Sequence, residues 1–114
     1  MAPLTSNLFS GIPAILQEEM FDILATSDRV RIERIVSDGQ MTPPGDWYDQ
    51  GWDEWVLLVS GSATLRFEGT APPLHMLPGD HVLIPAGCRH RVERTDPDQK
   101  TVWIAVHFGK VETF

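Results

Sequence analysis

Residues 79–94, "GDHVLIPAGCRHRVER", place two short runs on either side of a Pro85-Ala86-Gly87 hinge. Proline lacks a backbone donor and glycine reaches conformations closed to other residues, so the hinge reads as a turn. The run before it, "HVLI", is short and rich in strand-forming residues. The run after it alternates: Arg89, Arg91 and Glu93 fall on one side, His90 and Val92 on the other. A period of two is the signature of a strand with two unlike faces. The charged side reads as an ion-paired outer face, and a histidine is left pointing with valine towards the interior.

The same grammar extends in both directions. "EWVLLVSGSATLRFEG" (54–69) reads as two strands joined by a hairpin-type turn at Ser60-Gly61-Ser62. "TAPPLHM" is a turn leading to a short strand, "TDPDQK" a turn by composition, and "TVWIAVHF" (101–108) a nearly continuous apolar strand. Upstream, "VRIERIV" (30–36) places Val30, Ile32 and, after Glu33 and Arg34, Ile35 as a strand with one solvated face. "SDGQMTPPGD" is a turn-rich connector. In "PAILQEEMFDILATSD", Ile15, Met20, Phe21, Ile23 and Leu24 lie partly at helical spacing, with Pro13 near the start and Glu18 and Glu19 in an early turn. That predicts one short helix within 13–27. The expected organisation is an N-terminal segment over 1–29 carrying the helix, and an all-β barrel or sandwich over 30–114.

Bulk properties narrow the function. A chain of 114 residues forms one core, and 42% hydrophobic with 22% charged residues is ordinary for a globular protein. The formal charge of −7 argues against nucleic acid and against an anionic membrane surface. The single cysteine, Cys88, requires no oxidising compartment and reads as a small buried hydrophobe. No stretch approaches the ~18 apolar residues of a membrane span, and the first residues lack a signal-peptide pattern, so a cytoplasmic location is expected.

Chemistry concentrates in "WYDQGWDEW" (47–55), which packs three tryptophans, a tyrosine, a glutamine and three carboxylates into nine positions. Such density suits the rim of a binding site better than a core. Trp47 and Trp52 are expected to line its mouth or to cover an open barrel end. Trp55 should face away from Glu54, packing between sheets or against another subunit. Asp46 and Asp53 read as solvated, and His75 and His81 as surface residues.

Two motifs carry a resemblance to the small single-domain cupins, a jelly-roll barrel family of the RmlC-like type. One reads Gly79, five residues, Pro85, Ala86, Gly87, two residues, His90, with Arg94 standing where the family has asparagine. The other is matched at its end by Glu54, six residues, Gly61. Its two histidine positions fall on Tyr48 and Gln50, or in a longer variant on Trp47 and Asp49, and neither Gly39 nor Gly45 has the spacing of its leading glycine. The resemblance covers about residues 30–108 and implies a double-stranded β-helix with its site inside the barrel.

Carried over, Glu54 and His90 would be metal ligands with Gln50 assisting. The expected ion is a divalent one such as zinc, nickel or iron, held weakly because an amide replaces an imidazole. Tyr48, Asp49 and His107 are further candidates for contact with a small-molecule ligand. His107 is placed by hairpin reasoning beside the strand of His90, with its facing open to a one-residue change of register. Three functions follow: a metal-dependent enzyme on a small organic substrate, a non-catalytic binding or sensor module, or a metal-free isomerase with His90 as base and Tyr48 as acid. A homodimer is expected, because small cupins pair through sheets and the N-terminal segment.

Overall fold

A computed structural model describes residues 2–69 and 71–109; residues 110–114 of the expected barrel segment lie outside the described part. Among the described residues eight strands make two antiparallel sheets. The larger has the order β1-β2-β8-β3-β6, with β1 Met20–Ser27, β2 Val30–Ser37, β8 Thr101–Phe108, β3 Asp53–Ser60 and β6 His81–Ile84. The smaller has the order β5-β4-β7, with β5 Leu74–Met76, β4 Ala63–Phe67 and β7 His90–Thr95. The all-β jelly-roll expectation holds. No helix of the described residues is long and apolar enough to cross a membrane.

Alternation builds the core. Val56 and Leu58 on β3 oppose Ala105 and Trp103 on β8, and all four are buried against Leu65, Met76 and Ile84. The indole of Trp103 donates to Ser37 Oγ at 3.1 Å, so its one polar atom is satisfied inside.

The turn at Ser60-Gly61-Ser62 is not a hairpin. It passes the chain from the larger sheet to the smaller, since β3 pairs with β6 and β8 while β4 pairs with β5 and β7. Gly61 has φ +88°, and a Cβ there would lie 2.5 Å from Thr101 Oγ1 and 2.7 Å from the Lys100 carbonyl oxygen. Only glycine fits the crossing.

The expected N-terminal helix is absent: residues 13–19 are irregular, and Met20–Ser27 form β1. The pairing of β1 with β2 shifts register between Ile23 and Ala25. That bulge puts Ile23 and Leu24 side by side and breaks the period of two, which leaves apolar positions at helix-like intervals. Pairing with β2 then outweighs local helix preference. Buried Arg34 ties the lead-in down, donating to Asp22 Oδ2 from Nε at 2.9 Å and from Nη2 at 2.6 Å. Its Nη1 donates to the carbonyls of Leu8 and Ser10 at 2.8 and 2.6 Å. β2 therefore has no solvated face, because Glu33 and Arg34 are both buried.

Candidate functional site

Glu54 opens the site. It stands two residues before Val56 on the inward face of β3, so alternation turns its carboxylate into the barrel, where it is 7% exposed. The β3–β8 register sets Glu54 opposite His107, which settles the facing of that histidine: it points inward and is buried. Its strand neighbours are β2 and β3, not β7 as hairpin reasoning has it. His90, the first residue of β7, enters from the opposite sheet and is 5% exposed. Its Nε2 lies 3.7 Å from Glu54 Oε1. The two motif residues therefore meet across the barrel.

The stretch 47–52 straps the mouth. Tyr48 and His90 exchange backbone hydrogen bonds of 2.7 and 3.0 Å, and the Gln50 carbonyl accepts from Gly87 N at 2.8 Å. This sets the Tyr48 ring against the His90 imidazole, centroids 5.5 Å apart and planes inclined by 24°. Gln50 Nε2 donates to Glu54 Oε1 at 2.9 Å. Asp49 points the other way: it is exposed and stands 4.0 Å from Arg89 on the outer face, so it is not a site residue. That outer face is ion-paired as expected, through Arg89 with Glu68 and Arg66 with Glu93.

The tryptophans divide. Trp47 lies beneath the guanidinium groups of Arg89 and Arg91, 5.7 and 6.0 Å from its ring, and does not line the cavity. Trp55 faces away from Glu54 but lies on the outer surface, its indole donating to His81 Nδ1 at 3.3 Å, rather than between the sheets. Trp52 turns inward, and its indole N–H donates to His107 Nδ1 at 2.8 Å. Indole nitrogen only donates, so Nδ1 of His107 carries a lone pair and its proton sits on Nε2. That proton is given to Glu33 Oε1 at 2.8 Å. Both ring nitrogens of His107 are therefore committed.

His90 has the opposite tautomer. Its Nδ1 donates to the Cys88 carbonyl at 2.9 Å, so in the neutral ring the lone pair is on Nε2, which faces the cavity. The cavity holds about 90 Å³ and is walled by apolar groups such as Ile35, Leu65 and Ile84, with Glu19, Glu33 and Phe21 joining the residues above. Burial, reinforced by the negative charge of Glu33, raises the Glu54 pKa, against the opposing pull of His107, His90 and Arg31. Burial and then the charges of Glu19, Glu54 and Glu33 raise that of Tyr48, which stays a phenol.

Glu33 is the site residue that sequence reading misses. Its signal is the three-residue step from Ile32 to Ile35, which no strand face can hold; Ile35 shares its face with Glu33, not with Ile32.

The donor set does not fit a firmly held metal. Glu54 and His90 supply two donors, Gln50 presents its amide nitrogen, Tyr48 keeps its proton and His107 is committed, whereas three protein ligands are usual. Among the described residues no group of three His, Cys, Asp or Glu side chains is placed to hold an ion.

Comparison with known proteins places this geometry. No family model matches the chain, and no curated protein does. Among solved structures, a Ralstonia eutropha JMP134 protein, provisionally named a mannose-6-phosphate isomerase, shares 48% identity. The match spans 95% of this chain and all of that one, with a TM-score of 0.91. A cupin superfamily protein of Desulfitobacterium hafniense DCB-2 superposes with a TM-score of 0.70 at 21% identity, over 87% of this chain and 84% of that one. The chain belongs to the same family as the Ralstonia protein and has the cupin fold. The cupin fold also relates it to the polyketide cyclase RemF of Streptomyces resistomycificus, with a TM-score of 0.69 at 21% identity over 82% of this chain and 67% of that one. In this chain the positions of the two missing motif histidines carry Tyr48 and Gln50, and the inward imidazole of β8 is held by Trp52 and Glu33.

Proposed function

We propose that the barrel interior is a metal-independent proton-transfer site for a small organic molecule, with His90 as its base. The observation that carries this reading is the unequal state of the two inward imidazoles. His107 has both nitrogens bonded, while His90 offers an Nε2 lone pair to the cavity. A proton leaving a bound molecule moves to Nε2, and the electron pair it leaves shifts towards a neighbouring oxygen. Glu54 Oε1, 3.7 Å away, offsets the charge of the imidazolium. The Tyr48 phenol, kept protonated by burial and nearby carboxylates, gives a proton to that oxygen. One proton is taken and one given, which makes the enol; return of the His90 proton to the neighbouring carbon and of a hydroxyl proton to Tyr48 completes the isomerisation and restores both groups. The name of the Ralstonia relative is of the same reaction class.

Deuterium uptake from D2O into small carbonyl compounds, followed by NMR, tests it. His90→Gln should slow uptake at least ~100-fold, the usual scale of general-base loss. Uptake unaffected by that change contradicts the assignment. Binding without any uptake leaves a non-catalytic binding module.

A second reading, a weakly held zinc, nickel or iron ion on Glu54 and His90 with Gln50 turned to present its oxygen, draws on one feature. A histidine anchored through Nδ1–H to a backbone carbonyl is the usual posture of a metal ligand. Metal analysis of untagged protein separates the two: this reading expects substoichiometric metal that disappears in both His90→Ala and Glu54→Ala. The chain is also proposed to act as a homodimer in the cytoplasm.

A further inference from the structure

The polar atoms facing the cavity are mostly acceptors. Glu19, Glu33 and Glu54 line it, and among the described residues no Lys or Arg does. Each carboxylate accepts one side-chain hydrogen bond, from Ser37, His107 and Gln50 respectively, and a carboxylate has further lone pairs to offer. Arg31 stands outside the lining, its Nε 3.9 Å from Glu33 Oε2. Among the described residues, three lining carboxylates set against Arg31 leave a formal excess of two negative charges. His90 adds an independent demand. Its side chain is 6% exposed, and its Nε2 points inward, 3.7 Å from Glu54, beyond hydrogen-bond length. A lone pair in that position calls for a donor from the ligand. Aromatic faces of Tyr48 and Phe21 flank the mouth, with Tyr48 41% and Phe21 54% exposed.

We infer that the ligand of this pocket is a small organic cation bearing a protonated amine, and that phosphate esters are excluded. The inference rests on reading the pocket as a ligand site and adds its chemical class. An ammonium group supplies donors to Glu33, Glu54 and His90 at once, and its charge is favoured both by the carboxylates and by aromatic faces. A phosphate ester supplies mainly acceptors and negative charge, and meets no lining cation. Size points the same way. A volume of about 90 Å³ lies below the ~150 Å³ that holds a benzene ring, so a sugar phosphate does not enter the enclosed part.

Calorimetric titration of the full chain near neutral pH with ethylammonium, ethanol, acetate and methyl phosphate tests the class at nearly constant size. Ethylammonium should bind at least ~10-fold more tightly than ethanol, and the two anions not measurably. Glu33→Gln and Glu54→Gln should each weaken ethylammonium by about tenfold, the scale of one charge-assisted hydrogen bond. Glu19→Gln, in an irregular segment, gives a smaller loss and serves if a buried variant fails to fold. Acetate or methyl phosphate binding as well as the amine overturns the inference, as does ethanol matching it or ethylammonium failing to bind. Amine binding without deuterium uptake in any compound removes the proton-transfer reading alone. Uptake by an anionic compound together with failed amine binding removes the cation inference alone.

Discussion

Glu54 is a carboxylate in a place where water is scarce, and its raised pKa makes a signed prediction. Because the folded value lies above the unfolded one, Glu54 favours folding only in acid, below the unfolded value. That contribution disappears as pH rises through the folded pKa. At neutral pH its ionised form is a cost, so Glu54→Gln should raise Tm there, and the gain should shrink as pH falls towards the ordinary glutamate range. A lower Tm for Glu54→Gln at neutral pH would contradict the burial argument. Gly61 and Gly39 make a matched pair at the same scale: φ is +88° and +86°, but only Gly61 meets neighbouring backbone. Gly39→Ala should cost about 1 kcal/mol for its backbone conformation alone. Gly61→Ala should cost at least ~2 kcal/mol more, read by chemical denaturation, because Thr101 and Lys100 have to move.

Among elements, β1 shows where sequence reading stops. Arg34→Ala should cost about 2 kcal/mol and should release the amides of residues 8–10 and of β1 in hydrogen exchange, since one guanidinium holds both. Protection in β1 unaffected by the change would mean that the lead-in is held otherwise. Strand β7 is legible because alternation over six residues leaves one reading, and β3 and β8 because their apolar runs are bounded by turns; β2 is legible as a strand, with its faces misread. Strand β1 is not, because the bulge at Ile23/Ala25 breaks its period. The hairpin at Gly61 is misread because a turn residue marks a reversal without saying which sheet receives the chain. In the site, Glu54 and His90 are legible from motif spacing and Gln50 from its place on the same rim. Glu33 and the bond from Trp52 to His107 are not, because they depend on which strands become neighbours. Asp49 fails for the simplest reason, being one residue out of phase with Tyr48 and Gln50.

At the scale of the whole molecule, β1 ends the larger sheet, its outer edge unpaired among the described residues, and exposes Phe21, Ile23 and Leu24 (54%, 61% and 47%). An apolar edge of this kind invites a second copy, and light scattering at micromolar concentration should give the mass of a homodimer. Monomeric mass would count against it, as would dimer mass unchanged in Ile23→Lys. The proposed chemistry requires that the two sheets present one available imidazole and one committed one to the same cavity. Long-range proton–nitrogen NMR of the histidine rings tests this most directly, with His90→Gln and His107→Gln assigning the signals. His90 should carry a proton on Nδ1 and a ligand-responsive Nε2, with His107 protonated on Nε2 and unresponsive. His90 protonated only on Nε2, or His107 responding to ligand in its place, would contradict it.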